Sequence, residues 1–230
     1  MKALYSLKFD EFEKLVKDDL HLLWWLVHDD TASSRRNQVY DKTYFMHLRK
    51  RAAEQGIPAS ENEILSWLDT LNLLYYAFDR VNAEIRDEIQ IIQEYTIPLT
   101  NKRADYMLVY KNKILIIEFS FDKLGDEYRF ETKLSQAINY KELLTNLLPS
   151  HIKVGTYTFM INPEVNQNGE QVKKYNKYSK AEELANNEKL DDLGEYINLF
   201  FSDRNDALMQ LASLDEYMQK IEDDISDEQE

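Results

Sequence analysis

The chain has 230 residues, 43% hydrophobic and 12% aromatic, which is enough apolar material for a buried core and excludes a disordered chain despite 30% charged residues. It has no cysteine, which excludes a disulfide framework and a cysteine-ligated zinc and suits a reducing, cytoplasmic setting. The net charge of −14 is concentrated late in the chain, where residues 180–230 carry four basic against 16 acidic side chains, so phosphate binding by the remainder is not excluded.

Helical spacing of Phe12, Leu15, Val16, Leu20, Leu23 and Trp24 predicts a helix over Phe9–Val27, with Asp10 and Glu11 in its first turn. The apolar run Leu22–Val27 is far too short to span a membrane, and early acidic residues argue against a signal peptide. His21 and His28 are able to share a helix face but lack a third ligand nearby, which favours packing or surface roles over metal binding. A second helix is expected over Tyr40–Glu54, stopped near Gly56 and Pro58. Ser60 with Glu63 forms a capping box that starts a third helix, whose apolar face includes Trp67, Leu71, Leu74 and Phe78.

A strand over Ile91–Ile97 precedes the most informative stretch, two β-rich runs at Ala104–Tyr110 and Ile114–Phe121 joined by a tight turn at Asn112. An antiparallel register symmetrical about that turn sets Asp105 opposite Glu118, on one face of the sheet and roughly 5 Å apart at Cβ. On the residues alone, these acids either face solvent or share a hard divalent cation, Mg²⁺ or Mn²⁺, that relieves their repulsion. A helix follows from about Phe130 to Leu148, and places Lys133, Gln136 and Tyr140 on nearly one stripe. Lys153–Ile161 reads as a further strand, and Asn162–Tyr178 as a surface loop or hairpin extension whose Lys173, Lys174 and Lys177 are weak nucleic-acid contact candidates. Two helices, Lys180–Phe201 and Asp203–Ile221, lead to an acidic tail.

The order helix, three strands, helix, strand, with these acids and the Gln136/Tyr140 pair, resembles the PD-(D/E)XK nuclease superfamily, in particular its RecB-like branch with a helical Q-x-x-x-Y motif. The similarity extends to Glu63, Ser66 and Trp67 and to the run Glu94, Tyr95, Pro98, Leu99, Thr100, Lys102, Arg103 and Asp105. It is closest to a nuclease-like domain that precedes helicase-like ATPases; no phosphate-binding G-x-x-x-x-G-K-[ST] loop occurs here, so any ATPase would be a separate partner.

The resemblance implies an α/β fold with a restriction-endonuclease-like αβββαβ core and a mixed central sheet over residues 59–178. It leaves residues 1–58 as an N-terminal helical elaboration and 179–230 as acidic C-terminal helices and tail. It further implies a cytoplasmic nuclease acting on DNA, with RNA as an alternative, without membrane contact and serving bacterial or phage nucleic-acid processing or defence. Asp105, Glu118 and the Phe119 carbonyl would hold Mg²⁺ or Mn²⁺, Glu63 would reach the ion or its water, and Gln136 and Tyr140 would orient the site or touch the phosphate. One position departs from the pattern: Ser120 stands where the family places a lysine. Lys133 is the leading substitute, ahead of Lys123 and Lys102; without a substitute the chain would be a degenerate nuclease fold serving as a binding or regulatory subunit.

Overall fold

The structure, a computed structural model, describes residues 2–19, 43–121, 127–165, 171–177 and 190–202. The expectations for His21, His28, Lys123, the helix over 203–221 and the acidic tail lie outside those residues. In chain order the elements are β1 (Tyr5–Lys8), α1 (Phe9–Lys14) continued by a π-helical turn (Leu15–Asp19), α2 (Thr43–Glu54), α3 (Glu61–Phe78) and the single turn α4 (Ala83–Arg86). Then come β2 (Gln90–Thr96), β3 (Arg103–Tyr110), β4 (Lys113–Phe121), α5 (Glu127–Leu147), β5 (Lys153–Val165), β6 (Gln171–Lys177) and α6 (Leu190–Phe201).

The fold is mixed α/β. Its strands form one six-stranded sheet in the order β1-β2-β3-β4-β5-β6, antiparallel throughout except for the parallel β4/β5 pair. That exception follows from connectivity, because α5 carries the chain back across the sheet before β5 begins. One feature differs from the sequence expectation. Residues 1–58 are not purely helical, since Tyr5–Lys8 adds an edge strand to β2. Of the two alternatives for the segment after Ile161, the structure takes the hairpin extension, with β5 running to Val165 and paired to β6, the strand that carries Lys173, Lys174 and Lys177.

Strand alternation sorts the side chains into two cores. Leu115, Ile117 and Phe119 join α1, α2, α3 and α6 on one face, and Ile114 and Ile116 meet Tyr140 and Leu144 of α5, with Leu148 just beyond it, on the other. The first core takes Leu4, Phe12 and Leu48 from the N-terminal stretch and Leu193 and Ile197 from α6, so those flanking segments share a core with the central sheet. The Ser60 capping box forms as the sequence predicts: its Oγ accepts from the Glu63 N–H at 3.3 Å while Glu63 Oε2 accepts from the Ser60 N–H at 2.7 Å. Among the described residues no helix is long and apolar enough to cross a membrane.

Candidate functional site

The turn at Lys111–Asn112 produces the expected β3/β4 register, running from Tyr110↔Lys113 to Tyr106↔Ile117. Continued by one residue, that register sets Asp105 beside Glu118. There the ladder gives way to side chains: the Asp105 N–H donates to Glu118 Oε1 at 3.2 Å, and the Phe119 N–H donates to Asp105 Oδ2 at 2.7 Å. Each acid therefore occupies a backbone donor of the opposite strand, which fixes both carboxylates at the same opening in the sheet.

The opening begins one strand earlier. Glu94 lies opposite Asp105 in the β2/β3 register and has φ 54°, a left-handed conformation that costs a non-glycine residue on the order of 1 kcal/mol. Its consequence is visible in packing. Ile91 belongs to the α3-side core, yet Tyr95 and Ile97, which share its parity, belong to the α5-side core. The strand turns over at Glu94, and β3 does the same between Ala104 and Tyr106.

Lys133 of α5 enters this opening. Its Nζ donates to Asp105 Oδ1 at 3.1 Å, to Asp105 Oδ2 at 3.0 Å and to Glu118 Oε2 at 2.6 Å. One turn on, Gln136 Nε2 donates to the Tyr140 hydroxyl at 2.7 Å and approaches Glu118 Oε2 at 3.4 Å. The Tyr140 hydroxyl in turn donates to the Arg103 carbonyl at 3.4 Å. The i, i+3, i+7 spacing thus brings amine and amide to the acids and sets the phenol next to the amide, on the stripe that helical spacing predicts. Tyr140 is buried behind Gln136 and does not line the cavity, so here it anchors the glutamine. Ser120 lines the same cavity as Lys133, so the helix supplies the cation to the space in which the serine stands.

Electrostatics follow from burial. Glu118 is fully buried, and desolvation, then the adjacent Asp105 charge, pushes its carboxyl up to about 8 despite Lys133. Burial pulls Lys133 down, but Asp105 and Glu118 more than reverse that and hold its ammonium above the ordinary lysine value. The group thus keeps the lysine charged and holds the Glu118 proton to a higher pH than a free glutamate would. Tyr140 is raised by burial and by Glu118, so it remains a neutral phenol.

A cavity of about 660 Å³ opens between α3 and α5 over these groups, with Asp105, Lys133 and Gln136 on one side and Glu63, Trp67 and Arg103 on the other. Glu63 lines the same cavity as Asp105. Its Oε1 accepts from Arg103 Nη2 at 2.8 Å and its Oε2 caps α3, so it holds an arginine and makes no bond to Asp105 or Glu118. Arg103 Nε donates to Glu94 Oε2 at 2.7 Å, and the Trp67 indole N–H donates to Glu94 Oε1 at 2.7 Å. Sequence reasoning quoted Glu94 and Arg103 but gave them no role; a buried acid beside an aromatic-rich helix leaves no trace in residue spacing.

No protein-family model matches this chain, and no match was found among curated proteins or among solved structures. The site therefore has to be judged on its own atoms. Among the described residues no three His, Cys, Asp or Glu side chains form a metal-binding group. Two carboxylates with a carbonyl still suit Mg²⁺, which keeps several waters and uses few protein ligands. A strand residue directs its N–H and C=O to the same side, and the Phe119 N–H points at Asp105, so its carbonyl faces the opening too. The donors are all hard oxygens, and a buried acid raised to about 8 gains most from a nearby cation. The residues present fit such an ion.

Arg103→Ala is expected to cost about 2 kcal/mol, because it strands Glu94, whose side chain is only 8% exposed. Burial, then Asp105, already raises Glu94 to about 7, so below that pH protonation limits the loss, and above it the loss grows. Urea unfolding of this variant at acid and alkaline pH measures the difference; an equal loss at both contradicts it.

Proposed function

We propose that this protein is a metal-dependent nuclease that hydrolyses phosphodiester bonds of DNA, built on a restriction-endonuclease-like core of the PD-(D/E)XK superfamily. The observation that carries this reading is the convergence of Lys133 on both Asp105 and Glu118 beside Gln136. A Mg²⁺ or Mn²⁺ ion held by Asp105, Glu118 and the Phe119 carbonyl would polarise a phosphoryl oxygen and make a bound water more acidic. Lys133 sets its ammonium where charge accumulates on the phosphate, and Gln136, steadied by Tyr140, directs an amide at the same space. Arg103, held by Glu94 and Glu63, adds a second fixed cation to the cavity wall. A cytoplasmic place in bacterial or phage nucleic-acid processing or defence, a partner ATPase, and RNA as an alternative substrate belong to the same reading by resemblance alone.

One observation favours a second reading. Lys133 already bonds both acids, so the cluster is balanced without an ion, as a degenerate binding or regulatory subunit on a nuclease fold requires. Calorimetric titration with Mn²⁺ and cleavage of linear and plasmid DNA separate the two. The nuclease reading expects Mn²⁺ binding and cleavage, both lost in Asp105→Ala and Glu118→Ala. Cleavage retained in both variants removes it, and the absence of Asp105-dependent ion binding supports the second.

A further inference from the structure

The loop between β2 and β3 presents a leucine where the backbone favours glycine. Ile97, Pro98, Leu99 and Thr100 form a β-turn closed by the Thr100 N–H donating to the Ile97 carbonyl at 3.2 Å, and Leu99, at the third position, has φ 62°. Proline second and a positive φ third is the type II pattern, whose third residue is usually glycine or asparagine. Leu99 is also 58% exposed. Among the described residues four large apolar side chains are exposed, and Leu99 alone of them has a left-handed backbone. A single exposed leucine needs no explanation; one that folding would replace with glycine does.

The loop is also rigid, which a contact surface exploits. The Ile97 N–H donates to the Lys102 carbonyl at 3.0 Å, and the Thr100 hydroxyl donates to the Ile97 carbonyl at 3.0 Å while accepting from the Lys102 N–H at 3.1 Å. The residues that follow the tip, Asn101, Lys102 and Arg103, line the cavity over Asp105. An apolar tip thus stands at the lip of a cleft whose near wall is cationic. Polyanion backbones meet lysine and arginine, and leucine is among the side chains that wedge between bases.

We infer that Leu99 is an apolar wedge that packs against a nucleobase next to the phosphate in the cleft, so that the site prefers single strands or readily unstacked ends over intact duplex. The inference names a substrate class for the proposed nuclease and rests on that reading for its cleft. A base face covers the leucine on binding, while an intact duplex presents stacked bases that must first be parted, at an energetic cost.

The test measures binding without turnover, by fluorescence anisotropy of labelled single-stranded and duplex oligonucleotides of one sequence in EDTA, with the full chain and its Leu99→Gly and Leu99→Asn variants. Both replacements suit a positive φ, so thermal midpoints at or above that of the parent protein are expected. Binding of the single strand should weaken about tenfold, and the preference over duplex should shrink towards unity. Unchanged affinity in both variants, a lowered midpoint in both, a parent protein that prefers intact duplex, or one that binds neither oligonucleotide overturns the inference. Leu99-dependent binding without cleavage by the parent protein in Mg²⁺ or Mn²⁺ overturns the nuclease reading and leaves the wedge standing.

Discussion

Lys133→Met is expected to lower DNA cleavage by about a hundredfold or more, the usual scale for losing one group that stabilises transition-state charge. The variant also tests the architecture directly. Methionine retains most of the length of the side chain and removes the ammonium that makes three contacts to Asp105 and Glu118. Glu118 has no solvent exposure, so in metal-free buffer above its raised pKa the fold should lose about 3 kcal/mol. A divalent ion should offset much of this, since an ion at 100 times its dissociation constant stabilises by about 2.7 kcal/mol. Denaturant unfolding with EDTA and with Mn²⁺ reads both quantities. Equal stability of the two proteins in EDTA, with no added response to Mn²⁺, would show that the lysine is an ordinary surface residue.

Metal-free protein is expected to lose stability as the pH rises from about 4.5 to about 8, opposite to the usual carboxylate behaviour. The folded Glu118 carboxyl is raised by burial and by Asp105, so within that window the native state keeps a proton that the unfolded chain has released. Stability rises with pH only where the unfolded state binds more protons, so here it falls, by on the order of a few kcal/mol, and levels off above the folded pKa. Glu94 adds a slope of the same sign that ends near 7. Glu118→Gln, which imitates the protonated acid, should flatten most of the profile and make the metal-free variant more stable than the parent protein at alkaline pH. Ion binding then runs against the proton: affinity for Mn²⁺ should increase with pH up to about 8 and each binding event should release a proton. Urea melts across pH, together with calorimetry in buffers of different ionisation enthalpy, measure both, and a flat metal-free profile would contradict the assignment of a buried protonated acid.

The parts of the site legible in the sequence are those set by local spacing. A two-residue turn fixes the β3/β4 register, so the meeting of Asp105 with Glu118 follows from counting outwards. Helical periodicity fixes that Lys133, Gln136 and Tyr140 share a stripe, although only the docking of α5 on β4 and β5 aims it at the acids. What escaped depends on partners distant in the chain. Tyr5–Lys8 has four residues and becomes a strand through pairing with β2. Glu63 has a local explanation in the cap and a distant one in Arg103, and no spacing rule relates residues 63 and 103. The left-handed backbone of Glu94 is invisible because glutamate carries no signal for it; tertiary bonds from Trp67 and Arg103 select it.

The parallel β4/β5 pair has a kinetic corollary. The hairpin that gathers the two acids closes over a two-residue turn, whereas the seat of α5 on β4 and β5 is completed by a strand that starts 40 residues after β4. Contact order thus predicts that like charges meet before their ammonium counterweight arrives, and refolding should be faster in mildly acidic solution than in alkaline solution.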